Sequence, residues 1–311
     1  MSTIVLVHGI AQEQLSADTL ESQWLPALAG GVRNSGNHEL ADRLWRGGRP
    51  GEISVRMAYY GAQYLEKGAQ GVAAATDLDE NALDFAEQLA LAWLETANEF
   101  GDSKDRREAA MQLASIDRAG KGQQGVRAAL RPALNGLTKL RWFAPFGIGL
   151  ASKFTWRALT QVTRYFTDDE FRVFAQDQVL AHIGDETRLV IGHSLGSVVA
   201  YEALHRTDHR TALLTLGSPL GLQNVVYDRL RPPPPNRTVP ACVTRWDNLV
   251  DNDDLVAAHR DLAPFFPPAA ESDVKPVTAQ SVDNGAKPHE GIHYLTKRTT
   301  GRIISEALTE E

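Results

Sequence analysis

Between Arg188 and Leu204 the chain reads RLVIGHSLGSVVAYEAL, an apolar run that enters Gly192-His193-Ser194-Leu195-Gly196 and leaves it into a second apolar run. Leu189, Val190 and Ile191 are the long and β-branched residues of a buried strand, and Ser197 to Leu204 supply Val, Ala, Tyr, Glu and Leu, which suit a helix. A GxSxG pentapeptide alone is a weak signal. Between a strand and a helix it becomes a sharp turn that holds its serine at strained backbone angles with the hydroxyl exposed. A side chain at position 192 or 196 would there collide with neighbouring backbone. The stretch therefore predicts a strand-turn-helix unit with Ser194 as a nucleophile, and the competing reading is a glycine-bounded turn with an idle serine.

Further strands are predicted at Thr3 to Val7, Ile53 to Tyr60, Ala212 to Leu216, Val239 to Trp246 and Val274 to Val282. Helices are predicted over residues 14–33, ending at Gly30-Gly31, and from about Glu290 to Leu308. Such alternation implies an α/β fold with a mostly parallel sheet flanked by helices, and ligands at the carboxyl ends of the strands. Residues 61–186 are too long for an ordinary crossover and form a predicted helical cap inserted into a core made of 1–60 and 187–311. Within the cap, Asp79 to Phe100 carries Ala82, Ala86, Leu89, Trp93, Ala97 and Phe100 at helical spacing. The proline run at Arg231 to Pro235 is expected to be a stiff, extended connector.

Composition removes several function classes. With 311 residues, 43% of them hydrophobic, the chain can bury a large core, and its net charge of -7 argues against a nucleic-acid binder. The lone Cys242, placed in a buried strand, excludes a disulfide framework and a cysteine-based metal site. The opening MSTIVLVHG has neither a charged leader nor an export-length apolar run, so a cytoplasmic location is expected. Against the acidic whole, Arg118 to Thr167 contains no acidic residue. It carries Arg118, Lys121, Arg127, Arg131, Lys139, Arg141, Lys153, Arg157 and Arg164, interleaved with Trp142, Phe143, Phe146, Phe154, Trp156, Tyr165 and Phe166. That mixture suits an anionic membrane surface or an amphiphilic substrate; alternatively the aromatics pack inward while the arginines reach water.

A serine hydroxyl needs a histidine base and a carboxylate to orient it. In the order serine, acid, base, the acid would follow a later strand, where WDNLVDNDDLVA at 246–257 gathers Asp247, Asp251, Asp253 and Asp254. A calcium loop counted from Asp251 fails, because Leu255 occupies the fifth position and no glycine comes after it. The base would follow the last strand, where DNGAKPHEGIH at 283–293 offers His289 in the loop and His293 one turn into a helix. The loop position favours His289, with His293 as the alternative. His8 and His193 are read as packing or lining residues, and no histidine has metal-ligand spacing.

These residues, together with VHGI at 7–10 and LGSPLG at 216–221, resemble the lipase- and esterase-like members of the α/β-hydrolase superfamily; residues 61–186 lie outside the resemblance. The resemblance implies an α/β-hydrolase fold and maps the triad acid onto Asp254, ahead of Leu255 and Val256, with Asp251 as the alternative. It implies an oxyanion hole from the backbone N–H groups of Ile10 and Leu195. The expected activity is hydrolysis of a lipid or medium-chain acyl ester, phospholipid included, with no metal or organic cofactor. A thioesterase, a serine peptidase, or a non-catalytic lipid-binding module on the same fold are the alternatives.

Overall fold

Parallel strands covered by helices on both faces read as nearly continuous apolar runs, and four of the predicted strands are of that kind. The computed structural model describes residues 3–45, 53–65, 78–120, 129–140, 148–257 and 259–309. Strands β1 (Ile4–Val7), β2 (Val55–Ala58), β3 (Leu189–His193), β4 (Thr211–Leu216), β5 (Val243–Asp251) and β6 (Pro276–Val282) form one six-stranded, all-parallel sheet in the order β2-β1-β3-β4-β5-β6. The helices are α1 (Ala17–Asn34), α2 (His38–Trp45), α3 (Glu80–Phe100), α4 (Ser103–Gly120), α5 (Leu130–Leu137), α6 (Ile148–Thr167), α7 (Asp169–Leu180), α8 (Leu195–Leu204), α9 (Gly291–Leu295) and α10 (Arg298–Thr309).

Side chains alternate across each strand. Ile4, Leu6, Met57, Leu189, Ile191 and Leu214 meet α1, α2, α9 and α10 on one face. Val5, Val7, Val190 and Leu213 project to the other, where the apolar cluster continues through α8 into Leu89 and Trp93 of α3 and Leu159 and Val162 of α6. The inserted helices thus share a core with the sheet. A buried ion pair joins them further: Glu202 of α8 accepts from Arg172 Nε at 2.8 Å, Tyr165 Oη at 2.6 Å and Gln176 Nε2 at 2.9 Å. Removing one member of so dry a pair leaves an uncompensated charge.

The chain leaves β1 toward β2 in one direction and proceeds from β3 toward β6 in the other. The strand order therefore reverses between β1 and β3, and the crevice above their carboxyl ends is where ligands of open α/β sheets bind.

Strands β2 and β6 are shorter than expected, and four further elements differ in course. Helix α1, capped by Ser16, runs through Gly30-Gly31 to Asn34 instead of stopping there. A Cβ on Gly31 would stand 2.1 Å from Leu295 O, and one on Gly301 would stand 1.9 Å from Gly31 O, so these glycines are a backbone-to-backbone crossing of α1 with α9 and α10. Strand β5 begins at Val243, because Val243 N–H closes a turn onto Pro240 O that holds the buried Cys242, and it extends through Asp251 by pairing with β6. The acidic run at 247–251 is accordingly strand, and the loop is confined to residues 252–257. The proline run turns, with Asn236 N–H donating to Pro233 O at 3.0 Å, instead of extending. The terminal helix is broken at Thr296-Lys297, where Thr300 Oγ1 donates to Tyr294 O at 2.6 Å and takes a carbonyl that a continuous helix would use.

The α1–α10 crossing gives a stability prediction. Gly31→Val or Gly301→Val forces the helices apart and is expected to cost about 3 kcal/mol or more by overpacking, read as a lowered Tm by circular dichroism. Gly30→Ala, whose Cβ meets nothing within 4 Å, should instead leave the Tm unchanged or raise it, by the helix preference for alanine. Equal losses at positions 30 and 31 would contradict the crossing.

Candidate active site

Ser194 caps α8 at φ 54° and ψ -129°, in the left-handed region that residues bearing a Cβ rarely adopt. The turn is tight enough that a Cβ on Gly196 would stand 2.3 Å from Val7 O, and one on Gly192 would stand 2.6 Å from Ser197 Cα. Neither position admits any other residue without moving the backbone of β1 or α8.

The serine hydroxyl lies 2.8 Å from His289 Nε2, and His289 Nδ1 lies 2.9 Å and 2.8 Å from Asp254 Oδ1 and Oδ2. The carboxylate accepts from Nδ1–H, which leaves the Nε2 lone pair to accept the serine proton. Ser194 follows β3, Asp254 follows β5 and His289 lies between β6 and α9, so three distant segments meet at the carboxyl edge of the sheet. All three are buried, at 4%, 3% and 9% exposure respectively.

Asp254 is held by more than the histidine. Val256 N–H donates to Oδ1 at 3.0 Å and Tyr294 Oη donates to Oδ2 at 2.8 Å, while Tyr294 Oη also accepts from Asp251 N–H at 2.8 Å. Burial and the neighbouring Asp254 charge hold the Tyr294 phenol well above its ordinary pKa, so it stays a donor. Gly217, at φ +53°, leaves the space: a Cβ there would sit 2.5 Å from Asp254 Oδ2 and 3.1 Å from His289 Nδ1.

The other candidate residues have other partners. Asp251 accepts from Asp253 N–H at 2.8 Å and from Asn284 N–H, tying the end of β5 to the histidine loop; burial raises its pKa. Asp247 faces Arg245 at 2.6 Å, Asp253 is exposed, and His293 Nδ1–H donates to Asn284 O at 3.0 Å, so its ring stabilises the loop.

Asn284, which carries no signal in the sequence, and His193, expected there to be a packing or lining residue, hold the His289 loop. Asn284 Nδ2 donates to Pro288 O at 2.8 Å, and His193 Nε2–H donates to His289 O at 2.8 Å. His193 lies 4.8 Å from the His289 ring and edge-on to Trp24; burial, with His289 adding to it, lowers its pKa to about 3, so it is neutral. His8 is likewise neutral, its pKa lowered to about 4 by burial. Its Nδ1–H donates to Gly9 O at 2.7 Å while Nε2 accepts from Tyr60 N–H at 3.2 Å, which shapes the turn after β1.

That turn lies against the serine, for a Cβ on Gly9 would be 2.8 Å from Ser194 Cβ. Ile10 comes next, and among the described residues its N–H donates to no other group. Leu195 N–H is the first of α8 and has no carbonyl one turn earlier in the helix. Both expected oxyanion donors therefore stand beside Ser194.

Ser194 also opens onto a narrow apolar pocket. Its walls are Leu89, Trp93, Val162 and Phe166 from the insertion, facing Ile10, Leu195, Pro219, Val226 and Val256 from the sheet side. Every wall side chain but the serine is predominantly apolar. A charged substrate group would lose its hydration there without compensation, whereas a hydrocarbon chain would be favoured.

Of the acid-free segment, Lys121, Arg127, Arg141, Trp142, Phe143 and Phe146 lie outside the described residues. Tyr165 and Phe166 are buried, while Lys139 pairs with Glu108 at 2.8 Å, Arg157 with Glu13 at 3.0 Å and Arg164 with Asp168 at 3.3 Å. Arg118, Arg131 and Lys153 are exposed. Among the described residues no helix is long and apolar enough to cross a membrane, and no group of three or more His, Cys, Asp or Glu could hold a metal ion. Comparison of the chain with protein-family models, with curated proteins and with solved structures found no match.

Proposed function

We propose that the protein is a serine hydrolase of the α/β-hydrolase superfamily that cleaves carboxylic esters with an apolar acyl chain through an acyl-enzyme on Ser194. The observation that carries this reading is the relay of Ser194 Oγ, His289 Nε2 at 2.8 Å and Asp254 on the other ring nitrogen. Strained backbone at the serine and two donors beside it add to the case, since an idle serine needs neither.

In this mechanism His289 removes the hydroxyl proton as Ser194 Oγ bonds to the ester carbonyl carbon. The tetrahedral oxyanion is stabilised by Ile10 and Leu195 N–H. His289 then gives the proton to the leaving alkoxide, and the acyl-enzyme forms. Water enters, loses a proton to the same nitrogen and attacks the acyl carbon; collapse returns the proton to Ser194 Oγ and frees the acid. Asp254 keeps the imidazole in the required tautomer and stabilises its protonated form. The acyl chain occupies the apolar cavity, which favours lipid-like or medium-chain acids over small polar ones. Residues 61–186 act as the cap of this cavity.

A fluorophosphonate probe is expected to add covalently to the native protein at Ser194, located by peptide mass, and to leave Ser194→Ala unmodified. On p-nitrophenyl esters of increasing acyl length, kcat/KM should rise from acetyl to a medium chain and then fall when the cavity is full. A native protein that neither reacts with the probe nor turns over any ester would leave the fold as a binding module.

A further inference from the structure

The geometry points to Gln161, on α6 of the insertion, as a positioning residue for the oxyanion hole: it holds the loop that carries Ile10 N–H. The inference rests on the reading of Ser194 as the nucleophile. Immediately after Ile10, Ala11 has φ +61°, a left-handed conformation that costs an alanine about 1 kcal/mol or more. Such a conformation persists only where its surroundings impose it.

The constraint comes from the other side of the active site. Ala11 N–H donates to Gln161 Oε1 at 2.7 Å, across a sequence separation of 150 residues. Gln161 Nε2 donates in turn to Glu13 Oε2 at 2.8 Å, and Glu13 Oε1 receives Arg157 Nε at 3.0 Å from one turn earlier in α6. Gln161 and Glu13 are 4% and 5% exposed. The amide can face only one way, because turning it over would set its NH2 against Ala11 N–H and its oxygen against a carboxylate. In addition, Tyr64 Oη donates to the Gln161 backbone carbonyl at 3.2 Å.

The Ile10–Ala11 peptide is therefore clamped one residue beyond the donor, by a side chain that touches neither Ser194 nor the cavity. If Ala11 relaxed to negative φ, this peptide would rotate and Ile10 N–H would leave the oxyanion position. Val162, the next residue of α6, lines the cavity. One helix thus both forms the acyl wall and aligns the donor, so the insertion takes part in transition-state stabilisation as well as in covering the site.

The test is the kinetics of Gln161→Met, which keeps length and volume but removes both amide contacts. On a p-nitrophenyl ester, kcat is expected to fall about 10- to 100-fold, less than loss of an oxyanion donor outright, with KM unchanged within about twofold. An alkylboronic acid, which forms a tetrahedral adduct on serine, should bind more weakly by the same factor. A folded Gln161→Met with unaltered kcat, or with a raised KM alone, overturns the inference, because cap packing without donor alignment would do that. If Gln161→Met does not fold, Glu13→Gln decides. It keeps an acceptor for Gln161 but loses the Arg157 pair, and should lower kcat several-fold at constant KM; no change in either constant overturns the inference. A wild type inert to ester and fluorophosphonate overturns the nucleophile reading and this inference together. An active wild type alongside an equally active Gln161→Met overturns this inference alone.

Discussion

His289→Ala and Ser194→Ala are each expected to lower kcat on a p-nitrophenyl ester by about 10⁶-fold, and the double variant to be no worse than either, because the two groups act as one unit. Asp254→Asn should cost about 10⁴-fold. Its cause is visible in the hydrogen bonds. Asp254 accepts from His289 Nδ1–H, from Val256 N–H and from Tyr294 Oη, and an asparagine NH2 must face at least one of these donors. If it faces the imidazole, it favours the tautomer with the proton on Nε2, which cannot accept from serine. Asp251→Asn is the control that separates the two carboxylates: it should lower Tm by weakening the tie to the 284 loop, while kcat stays within about tenfold of wild type, as no reacting group depends on it directly. Steady-state kinetics with matched thermal melts check all five variants, and an Asp254→Asn as active as Asp251→Asn would remove Asp254 from the relay.

That Ser194 and His289 would stand at the carboxyl edge of the sheet was legible in the motif and in the strand pattern. Gly192 is required by the backbone of α8 within five residues, the GxSxG spacing marks Gly196 although its steric reason is the distant Val7 carbonyl of β1, and His289 sits in a loop that the strand pattern places. The acidic run by itself did not separate Asp251 from Asp254; the preference for Asp254 came from the resemblance alone. What separates them is Tyr294 from α9 and the space left by Gly217, neither of which the run encodes. Likewise the sheet was readable from apolar runs, but β5 was misplaced. Its second half carries Asp247, Asn248 and Asp251, which read as loop, yet Asn248 Oδ1 accepts from Thr215 Oγ1 at 2.8 Å and Arg245 holds Asp247, so tertiary partners make these polar residues compatible with a central strand. Gln161 had no readable signal at all. A glutamine in a helix is ordinary until a left-handed alanine 150 residues away needs an acceptor.

Acid is expected to destabilise this fold sharply, starting near pH 6.5, well above the range in which carboxylates titrate. His8 and His193 have their pKa lowered from 6.5 to about 4 and about 3, chiefly by burial. Between those values and 6.5 the unfolded chain binds protons at both positions and the folded chain does not, so stability is fully present above pH 6.5 and is lost as pH falls through the window. Each imidazole contributes a slope of about 1.4 kcal/mol per pH unit, hence about 3 kcal/mol per unit for the pair near pH 5, a large share of a typical domain's 5–15 kcal/mol, and the half-buried His205, also lowered to about 4 by burial, acts in the same direction. Geometry explains why neither ring accepts a proton cheaply. His8 Nε2 is already the acceptor for Tyr60 N–H, which a second ring proton would oppose, and a charged His193 would face the His289 ring at 4.8 Å with little water. Urea midpoints measured from pH 7.5 to 4.5 should fall along this slope, and His8→Gln, whose amide oxygen can still accept from Tyr60 N–H, should flatten it by about 1.4 kcal/mol per unit. A midpoint that stays level from pH 6.5 to 5 would mean that both imidazoles charge freely inside the fold, and their neutral hydrogen-bonding roles at the serine turn and the base loop would then be untenable.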